Sequence, residues 1–193
     1  MILGGPQTEV DAQWMRHALA AAHEAQQRDE VPVGTCIVTG TELLAVAGNR
    51  TRTDRDPTAH AEIIALREAA KPVIASVHGA VAGAGISLLA AADLAIAAAD
   101  TKFTLAYSKI AASPDGGSTY FLPRIVGARK ALELMLLSDS FDADAALASG
   151  LVNWVVAGAD LAAATARLAQ RLACGPTLAY AETKTLVNRT FER

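Results

Sequence analysis

The sequence predicts an α/β chain in which an α-β-β-α segment precedes a run of strands and helices that ends in a helical cluster. Apolar residues recur at helical spacing between Thr8 and Glu30, which predicts an amphipathic helix. Two short apolar stretches on either side of Gly40 then predict a β-hairpin. From Lys71 onward, short β-type runs alternate with helical patterns, and the last third of the chain is predicted to be mostly helical.

The composition narrows the class of protein. The 193 residues are 52% hydrophobic and 19% charged, which allows one large domain or two small ones with a real core. A net charge of −3 gives no basic signature for nucleic acid and weighs against a tRNA partner. The longest apolar run, Gly85–Ala92, is far shorter than the roughly 20 residues of a membrane span, and the N-terminus shows no signal-peptide pattern. Cys36 and Cys174 lie far apart, so we expect free thiols and a cytoplasmic protein.

The first segment is predicted to contain a helix, two hairpin strands and a second helix: Thr8–Glu30, Thr35–Val38, Leu43–Ala47 and Ala59–Ala70. Pro32 ends the first helix, because proline cannot continue it and biases its predecessor toward extended geometry. The polar stretch Asn49–Pro57 predicts a loop, and Thr58 is a candidate N-cap for the second helix.

The second segment is predicted to begin with the strand Lys71–Val77, followed by a small-residue turn over Gly79–Gly85. Further strands are expected at Leu94–Ala98, Phe103–Ala106 and Leu151–Val156. Helices are expected at Gly83–Ala92, Ser118–Val126, Ala128–Leu137, Ala143–Ser149, Ala159–Ala173 and Thr177–Asn188.

A His-Ala-Glu motif stands at the start of the second helix, as His60, Ala61 and Glu62. Nucleoside deaminases hold zinc with one His and two Cys and use a neighbouring Glu as the proton shuttle. Zinc lowers the pKa of its bound water toward neutrality, and the Glu carries the proton to the leaving nitrogen. The three-residue motif on its own is a weak signal, because a lone His is more often a structural surface residue.

Several stretches around this motif resemble the bacterial tRNA-specific adenosine deaminase family: Trp14–Leu19, Glu30–Gly34, Gly48–Arg50 and Asp56–Ile63. The resemblance covers roughly residues 10–70. It implies that His60 is a zinc ligand, Glu62 the proton shuttle and Asn49 a substrate contact.

The sequence departs from that family at the metal ligands. No Pro-Cys-x-x-Cys follows His60, Cys36 lies on the first hairpin strand, and Cys174 has no second cysteine beside it. A catalytic zinc needs three protein ligands, so a single His60 does not hold it. We therefore expect zinc only if the deaminase site were completed by other ligands.

The second segment carries a series of motifs in one order: Lys71–Gly79, Ala82–Gly85, Asp93–Ala97, Phe103, Ser113–Gly117, Leu122–Arg124, Gly150–Asn153 and Ala169–Lys184. Together they resemble the enoyl-CoA hydratase/isomerase (crotonase) superfamily over roughly residues 71–190. The resemblance implies a partial ββα spiral with a C-terminal helical cluster, a coenzyme A thioester as substrate, and a trimer-based homo-oligomer.

A thioester enolate needs backbone N–H donors aimed at its oxygen, and small residues before a helix let the backbone approach closely. The resemblance places one donor on the N–H of Ala84 and an acid/base carboxylate at Asp115. We assign Gly83, Gly85 and Pro114 to substrate binding. Pro-Asp-Gly-Gly is also an ordinary turn sequence, so a turn role for Asp115 stays open.

Hydratase-type members carry two glutamates at positions that correspond here to Ser87 and Tyr107. This difference favours a double-bond isomerase over a hydratase. The family's first portion, with the second oxyanion donor, is not recognisable before Lys71, and loss of one donor typically costs about 100- to 1000-fold in rate. We therefore expect impaired catalysis.

Three hypotheses follow for a chain composed of a truncated deaminase-like segment, residues 1–70, and a truncated crotonase-like segment, residues 71–193. The first is an acyl-CoA-binding enoyl-CoA hydratase/isomerase-type protein, closer to the isomerases. The second is a zinc-dependent tRNA adenosine or nucleoside deaminase remnant without its cysteine ligands. The third is an inactive fusion product.

Overall fold

The computed structural model describes residues 6–190, and the side chains of residues 9–190. Its helices are α1 (Pro6–Gln27), α2 (Ala61–Glu68), α3 (Ala84–Ala91), α4 (Ser118–Ile125), α5 (Ala128–Leu137), α6 (Ala143–Ala148), α7 (Leu161–Ala173) and α8 (Thr177–Thr190). Its strands are β1 (Gly34–Thr39), β2 (Glu42–Gly48), β3 (Ile74–Val77), β4 (Ala80–Ala82), β5 (Leu94–Ala98), β6 (Lys102–Thr104), β7 (Phe141–Asp142) and β8 (Trp154–Val156). The chain divides into two compact units, the first ending at Ala70 and the second beginning at Lys71. Among the helices in the described range, none is long and apolar enough to cross a membrane.

Unit 1 has the predicted order of helix, hairpin and helix. Strands β1 and β2 pair antiparallel, and the register shifts between Ile37 and Val38, where the hairpin contains a bulge or irregularity. The hairpin and α2 enclose a small core of Ala47, Ile64 and Ala65. Helix α1 covers the hairpin with alanine side chains, because their small size lets helix and strand backbones come close together.

Two glycines make that close packing possible. Gly34 and Gly48 are paired across the hairpin. A methyl group at Gly48 would lie 2.5 Å from the carbonyl oxygen of Ala21, and one at Gly34 would collide with the carbonyl oxygen of Ala18. Any larger residue at either position would therefore push α1 off the hairpin.

Glu30 fixes the loop that leads from the hairpin to α2. Its side chain is buried, and Oε1 accepts hydrogen bonds from the backbone N–H groups of Arg52 (2.8 Å) and Thr53 (2.7 Å). The hydroxyls of Thr51 and Thr53 also donate to the carboxylate. Burial acts to raise the pKa of Glu30, but the hydrogen bonds from Thr53, Arg52 and Thr51 outweigh it and hold the pKa below its ordinary value of 4.5.

This arrangement predicts a pH-dependent contribution to the stability of unit 1. Because the folded-state pKa of Glu30 is lowered, its contribution is present above about pH 4.5 and is lost as the pH falls through the folded value. We expect Glu30→Gln to speed hydrogen exchange at the amides of Arg52 and Thr53 at pH 7. The difference from the wild type should shrink as the pH falls below 4.5 through the lowered pKa of Glu30, as followed by NMR. Glu24→Gln, on the exposed face of α1, is the matched control, and equal exchange in the wild type and Glu30→Gln at pH 7 would refute this role.

Unit 2 contains two small sheets. Strands β3, β5 and β8 form a parallel sheet in that spatial order. In the second sheet β6 pairs in parallel with β4 and antiparallel with β7. Helices follow these strands and dominate the region after residue 118. This architecture confirms the predicted mixed α/β class with a helical C-terminal region.

The structure corrects several predicted bounds. The predicted strand Lys71–Val77 starts only at Ile74, because Pro72 has no N–H and the N–H of Val73 donates instead to the Asp93 carboxylate (2.7 Å). The stretch Gly79–Gly85 is more than a turn, since it contains β4. Three alanine and valine residues give too weak a pattern for a sequence-based strand assignment.

The core of unit 2 lies between α3, β6 and the helices α4 and α5. Its largest fully buried side chains include Phe103, Ile86, Leu105 and Leu122. Phe103 stacks on Phe141, with ring centroids 5.4 Å apart. This packing holds the start of α3 beside the loop that follows β6, and the candidate site lies there.

Candidate active site

The start of α3 presents free backbone donors. Gly83 stands at the N-cap position with φ +51° and ψ −121°, and its own N–H donates to the carbonyl of Thr104 (3.0 Å). A left-handed φ of this kind favours glycine, because a side chain there would be strained. The N–H groups of Ala84 and Gly85 lie in the first turn, where a helix provides no internal acceptor. Ala84 itself is exposed, so this first turn of α3 is open to solvent.

Tyr107 lies next to this helix start. A methyl group at Gly83 would come within 3.8 Å of Cζ and 3.9 Å of the hydroxyl of Tyr107. Tyr107 begins a short 3-10 helix, Tyr107–Ile110, that is flanked by Ala106 (φ +58°) and Ala111 (φ +54°). Left-handed backbone at two alanines is sterically costly, and such strain is concentrated at functional sites.

Asp115 is the next polar group in the cluster. Its Oδ1 atom accepts a hydrogen bond from the Tyr107 hydroxyl at 2.5 Å. Its backbone carbonyl accepts from the hydroxyls of Ser87 (3.0 Å) and Ser118 (2.9 Å). A methyl group at Gly116 would lie 3.0 Å from the Ser87 Cβ atom, so the loop presses closely on α3. These bonds place the Asp115 carboxylate beside Tyr107, whose ring lies close to Gly83.

The electrostatics keep Tyr107 protonated. Burial raises the pKa of the Tyr107 phenol above its ordinary value of 10.0, and the hydrogen bond and negative charge of Asp115 raise it further. Hydrogen bonds with Ser87 and with the Asp115 backbone act in the opposite direction without reversing the shift. Near neutral pH the phenol is therefore a hydrogen-bond donor to the carboxylate.

The predicted residues of unit 2 fall into one neighbourhood. Gly83, Ala84 and Gly85 form the start of α3, while Pro114 is half-buried and directly precedes Asp115. Tyr107 and Ser87 join the two parts. The sequence marked those two positions only by the residues they lack, and nothing in it indicated that Tyr107 would bind Asp115. Together, a free N–H at a helix start and a nearby carboxylate suit the stabilisation of an oxyanion and the transfer of a proton.

The predicted residues of unit 1 lie around the start of α2. His60 is the N-cap residue and makes no side-chain cap bond, while Glu62 lies in the first turn. Asn49 is buried, and its Oδ1 atom accepts a hydrogen bond from the N–H of Ala61 at 2.8 Å. Asn49 thus supports the first turn of α2, and its predicted substrate contact stays a prediction.

The cysteines do not join His60 in a metal-binding cluster. Within residues 6–190, no group of three His, Cys, Asp or Glu side chains could hold a metal ion. Cys36 donates to the carbonyl of Trp14 (3.4 Å), and Cys174 accepts from the amide of Gln170 (3.0 Å). The described residues therefore do not fit the zinc site that the deaminase resemblance implies.

Residues 34–193 match the protein-family model for enoyl-CoA hydratase/isomerase. The match begins at the first residue of β1, ahead of the boundary predicted near residue 71. The comparisons support this resemblance and give no support for a deaminase-like portion. The family boundary and the deaminase assignment of residues 10–70 are therefore not confirmed.

The chain is 40% identical over 118 residues to the 1,2-epoxyphenylacetyl-CoA isomerase of Escherichia coli (strain K12), covering 61% of this chain and 45% of the relative. It is 31% identical over 175 residues to the carnitinyl-CoA dehydratase of Salmonella typhi, covering 86% of this chain and 67% of that protein. The crystal structure of an enoyl-CoA hydratase from Mycobacterium avium subsp. paratuberculosis K-10 matches with a TM-score of 0.65 and 35% identity, over 67% of this chain and 52% of that chain. The chain thus spans less than half of the E. coli isomerase and about half of the solved hydratase.

Proposed function

Because the chain belongs to the enoyl-CoA hydratase/isomerase family, we propose that it binds an acyl-CoA thioester and moves a proton at the carbon next to the thioester carbonyl. The observation that carries this proposal is the neighbourhood of a free helix-start N–H, at Ala84, and the Asp115 carboxylate. Both groups are tied to α3 within unit 2: Ala84 begins the helix, and the Asp115 carbonyl accepts a hydrogen bond from its Ser87.

Each residue has a distinct role in the proposed reaction. Asp115 takes a proton from the substrate carbon, and the electrons of the broken C–H bond move into an enolate. The Ala84 N–H donates to the enolate oxygen, and the dipole of α3 adds to that stabilisation. Asp115 then returns the proton to another carbon, which shifts a double bond without adding water. Gly83, Gly85 and Pro114 shape the backbone around the acyl group.

The preference for an isomerase over a hydratase rests on the two positions that hydratases fill with glutamate. Ser87 donates its hydroxyl to the Asp115 carbonyl and Tyr107 donates to the Asp115 carboxylate, so here both support a single acid/base group. One carboxylate suits the movement of a proton between carbons. Ser87 and Tyr107 cannot replace the paired glutamates that activate a water molecule.

We expect slow turnover at this site. Ala84 is the one oxyanion donor that we assign within unit 2. A site with one such donor is about 100- to 1000-fold slower than a site with two. A trimer-based homo-oligomer and a cytoplasmic location complete the proposal. They follow from the family resemblance and from the free thiols of Cys36 and Cys174.

Calorimetry tests the binding proposal directly. We expect titration with a short acyl-CoA to release or absorb heat with saturation at or below the millimolar range, equivalent to about −4 kcal/mol or better. Adenosine, titrated in the same way, is the control for the deaminase alternative. Absence of any binding heat with millimolar acyl-CoA would overturn the proposal and favour an inactive fusion product.

The alternative for residues 10–70 is a remnant of a zinc-dependent tRNA adenosine or nucleoside deaminase, within a truncated segment 1–70 that precedes the acyl-CoA segment 71–193. Its support is local, since His60 and Glu62 lie together at the start of α2. Metal analysis of the same preparation separates the alternatives. Zinc at one atom per chain, removed by His60→Ala, would favour the deaminase remnant over the acyl-CoA proposal.

A further inference from the structure

We propose that Tyr107 is a positioning residue for Asp115: its hydroxyl holds the Oδ1 atom and leaves the Oδ2 atom of the carboxylate to meet the substrate proton. This inference rests on the proposed acyl-CoA chemistry and assigns a role to a residue that the sequence left without one. Within residues 6–190 no second hydrogen bond reaches the Asp115 side chain, so the Tyr107 bond alone fixes its orientation.

The hydrogen bond from Tyr107 to Asp115 is short, as expected for a bond to a charged acceptor. The two oxygen atoms lie 2.5 Å apart, within the 2.5–2.7 Å range of a hydroxyl donating to a carboxylate. The raised pKa of the phenol means that Tyr107 keeps its proton while Asp115 accepts. The donor and acceptor roles are therefore fixed in the resting site.

Tyr107 is itself held rigidly. Its ring is buried in the core of unit 2, and its carbonyl accepts the N–H of Ala112 at 3.0 Å. The left-handed residues Ala106 and Ala111 turn the chain sharply on both sides of it. A donor fixed in this way can orient an exposed carboxylate, whereas a mobile surface donor could not.

Groups other than Tyr107 hold the carbonyl of Asp115 in its loop. Ser87 and Ser118 hold the Asp115 carbonyl through their hydroxyls, and the N–H of Ser118 adds a third bond to the same oxygen (3.1 Å). Loss of the Tyr107 hydroxyl would therefore release the carboxylate and leave the loop in place. This separation distinguishes a positioning role from a purely structural one.

The same hydroxyl lies near the start of α3. It lies within 3.9 Å of where a Gly83 Cβ atom would stand, one residue before Ala84. Because Tyr107 lies close to the start of α3 and bonds to Asp115, it fixes the carboxylate near this helix start. A proton-transfer group must be held close to its productive geometry for the rate to be maintained.

Tyr107→Phe tests the proposal, because it removes one oxygen and keeps the buried ring. We expect kcat for isomerisation of a 3-enoyl-CoA to fall about 10- to 100-fold, the worth of a hydrogen bond to a charged group. KM should stay within about twofold, and the thermal midpoint should hardly move. Tyr180→Phe removes the same atom from α8 and is the matched control.

A double mutant tests whether Tyr107 acts through Asp115 or in some other way. Tyr107→Phe added to Asp115→Asn should cause no further loss of the residual activity, since the group that Tyr107 positions is then already neutralised. An additional loss of about 10-fold in that background, or an unchanged kcat in Tyr107→Phe alone, would overturn the proposal. If the wild type itself neither binds nor isomerises any acyl-CoA, the proposed function fails, which is a different result from failure of the Tyr107 role alone.

Discussion

Asp115→Asn is expected to lower the isomerisation rate of a 3-enoyl-CoA by about 100- to 10,000-fold, the range in which a positioned acid/base group contributes. The amide cannot accept the substrate proton, although it can still accept the hydrogen bond from Tyr107 that the carboxylate accepts now. Because the loop is held through the Asp115 carbonyl, the substitution should leave the fold intact. Steady-state kinetics and a thermal melt measure the two effects together.

Asp139→Asn is the matched control for this substitution. Asp139 is an exposed carboxylate of the same unit and belongs to no part of the candidate site. Its replacement should leave kcat within about twofold of the wild type. If Asp115→Asn were as active as Asp139→Asn, the turn role for Asp115 would be correct and the acid/base role wrong.

Ala84→Pro is expected to lower kcat by about 100- to 1000-fold, because proline removes the N–H that donates to the enolate oxygen. Proline is well tolerated at the first position of a helix, which Ala84 occupies in α3. The preceding residue is Gly83, which has no Cβ atom to clash with the proline ring. The helix should therefore form, and the missing donor should dominate the effect.

Ala84→Gly controls for the side chain, since it keeps the N–H and removes only a methyl group. We expect its kcat to stay within a few-fold of the wild type. Thermal melts of both variants check that unit 2 remains folded. Equal kcat values for Ala84→Pro and Ala84→Gly would show that the start of α3 is not the oxyanion site.

Much of the fold could be predicted from the sequence where hydrophobic periodicity is strong. The strand Leu94–Ala98 and the helix Ala128–Leu137 have their predicted bounds. The strand starts directly after Asp93, and the helix lies between Gly127 and Ser138. The sequence-based assignment failed where tertiary contacts determine the secondary structure. Strand β7 has only two residues, Phe141 and Asp142, and exists because β6 pairs with it.

The candidate site was only partly predictable. Gly83–Gly85 and Asp115 were proposed as site residues from the family resemblance. The bond between Tyr107 and Asp115 was not, because it depends on left-handed turns at two alanines, a residue type that gives no sequence signal for such a backbone. Similarly, Asn49 was assigned to substrate contact from the deaminase resemblance. Its bond to the Ala61 N–H depends on how the loop and α2 pack together, which the sequence does not show.

Proton exchange on an acyl-CoA most directly tests whether Ala84 and Asp115 form one enolising site. The wild type, incubated in D₂O with a saturated acyl-CoA, should incorporate deuterium at the carbon next to the thioester carbonyl, as followed by NMR. Asp115→Asn should still bind the ligand but lose this exchange. An acyl-CoA that binds to the wild type without exchange, or exchange at the same rate in Asp115→Asn, would contradict a single enolising site.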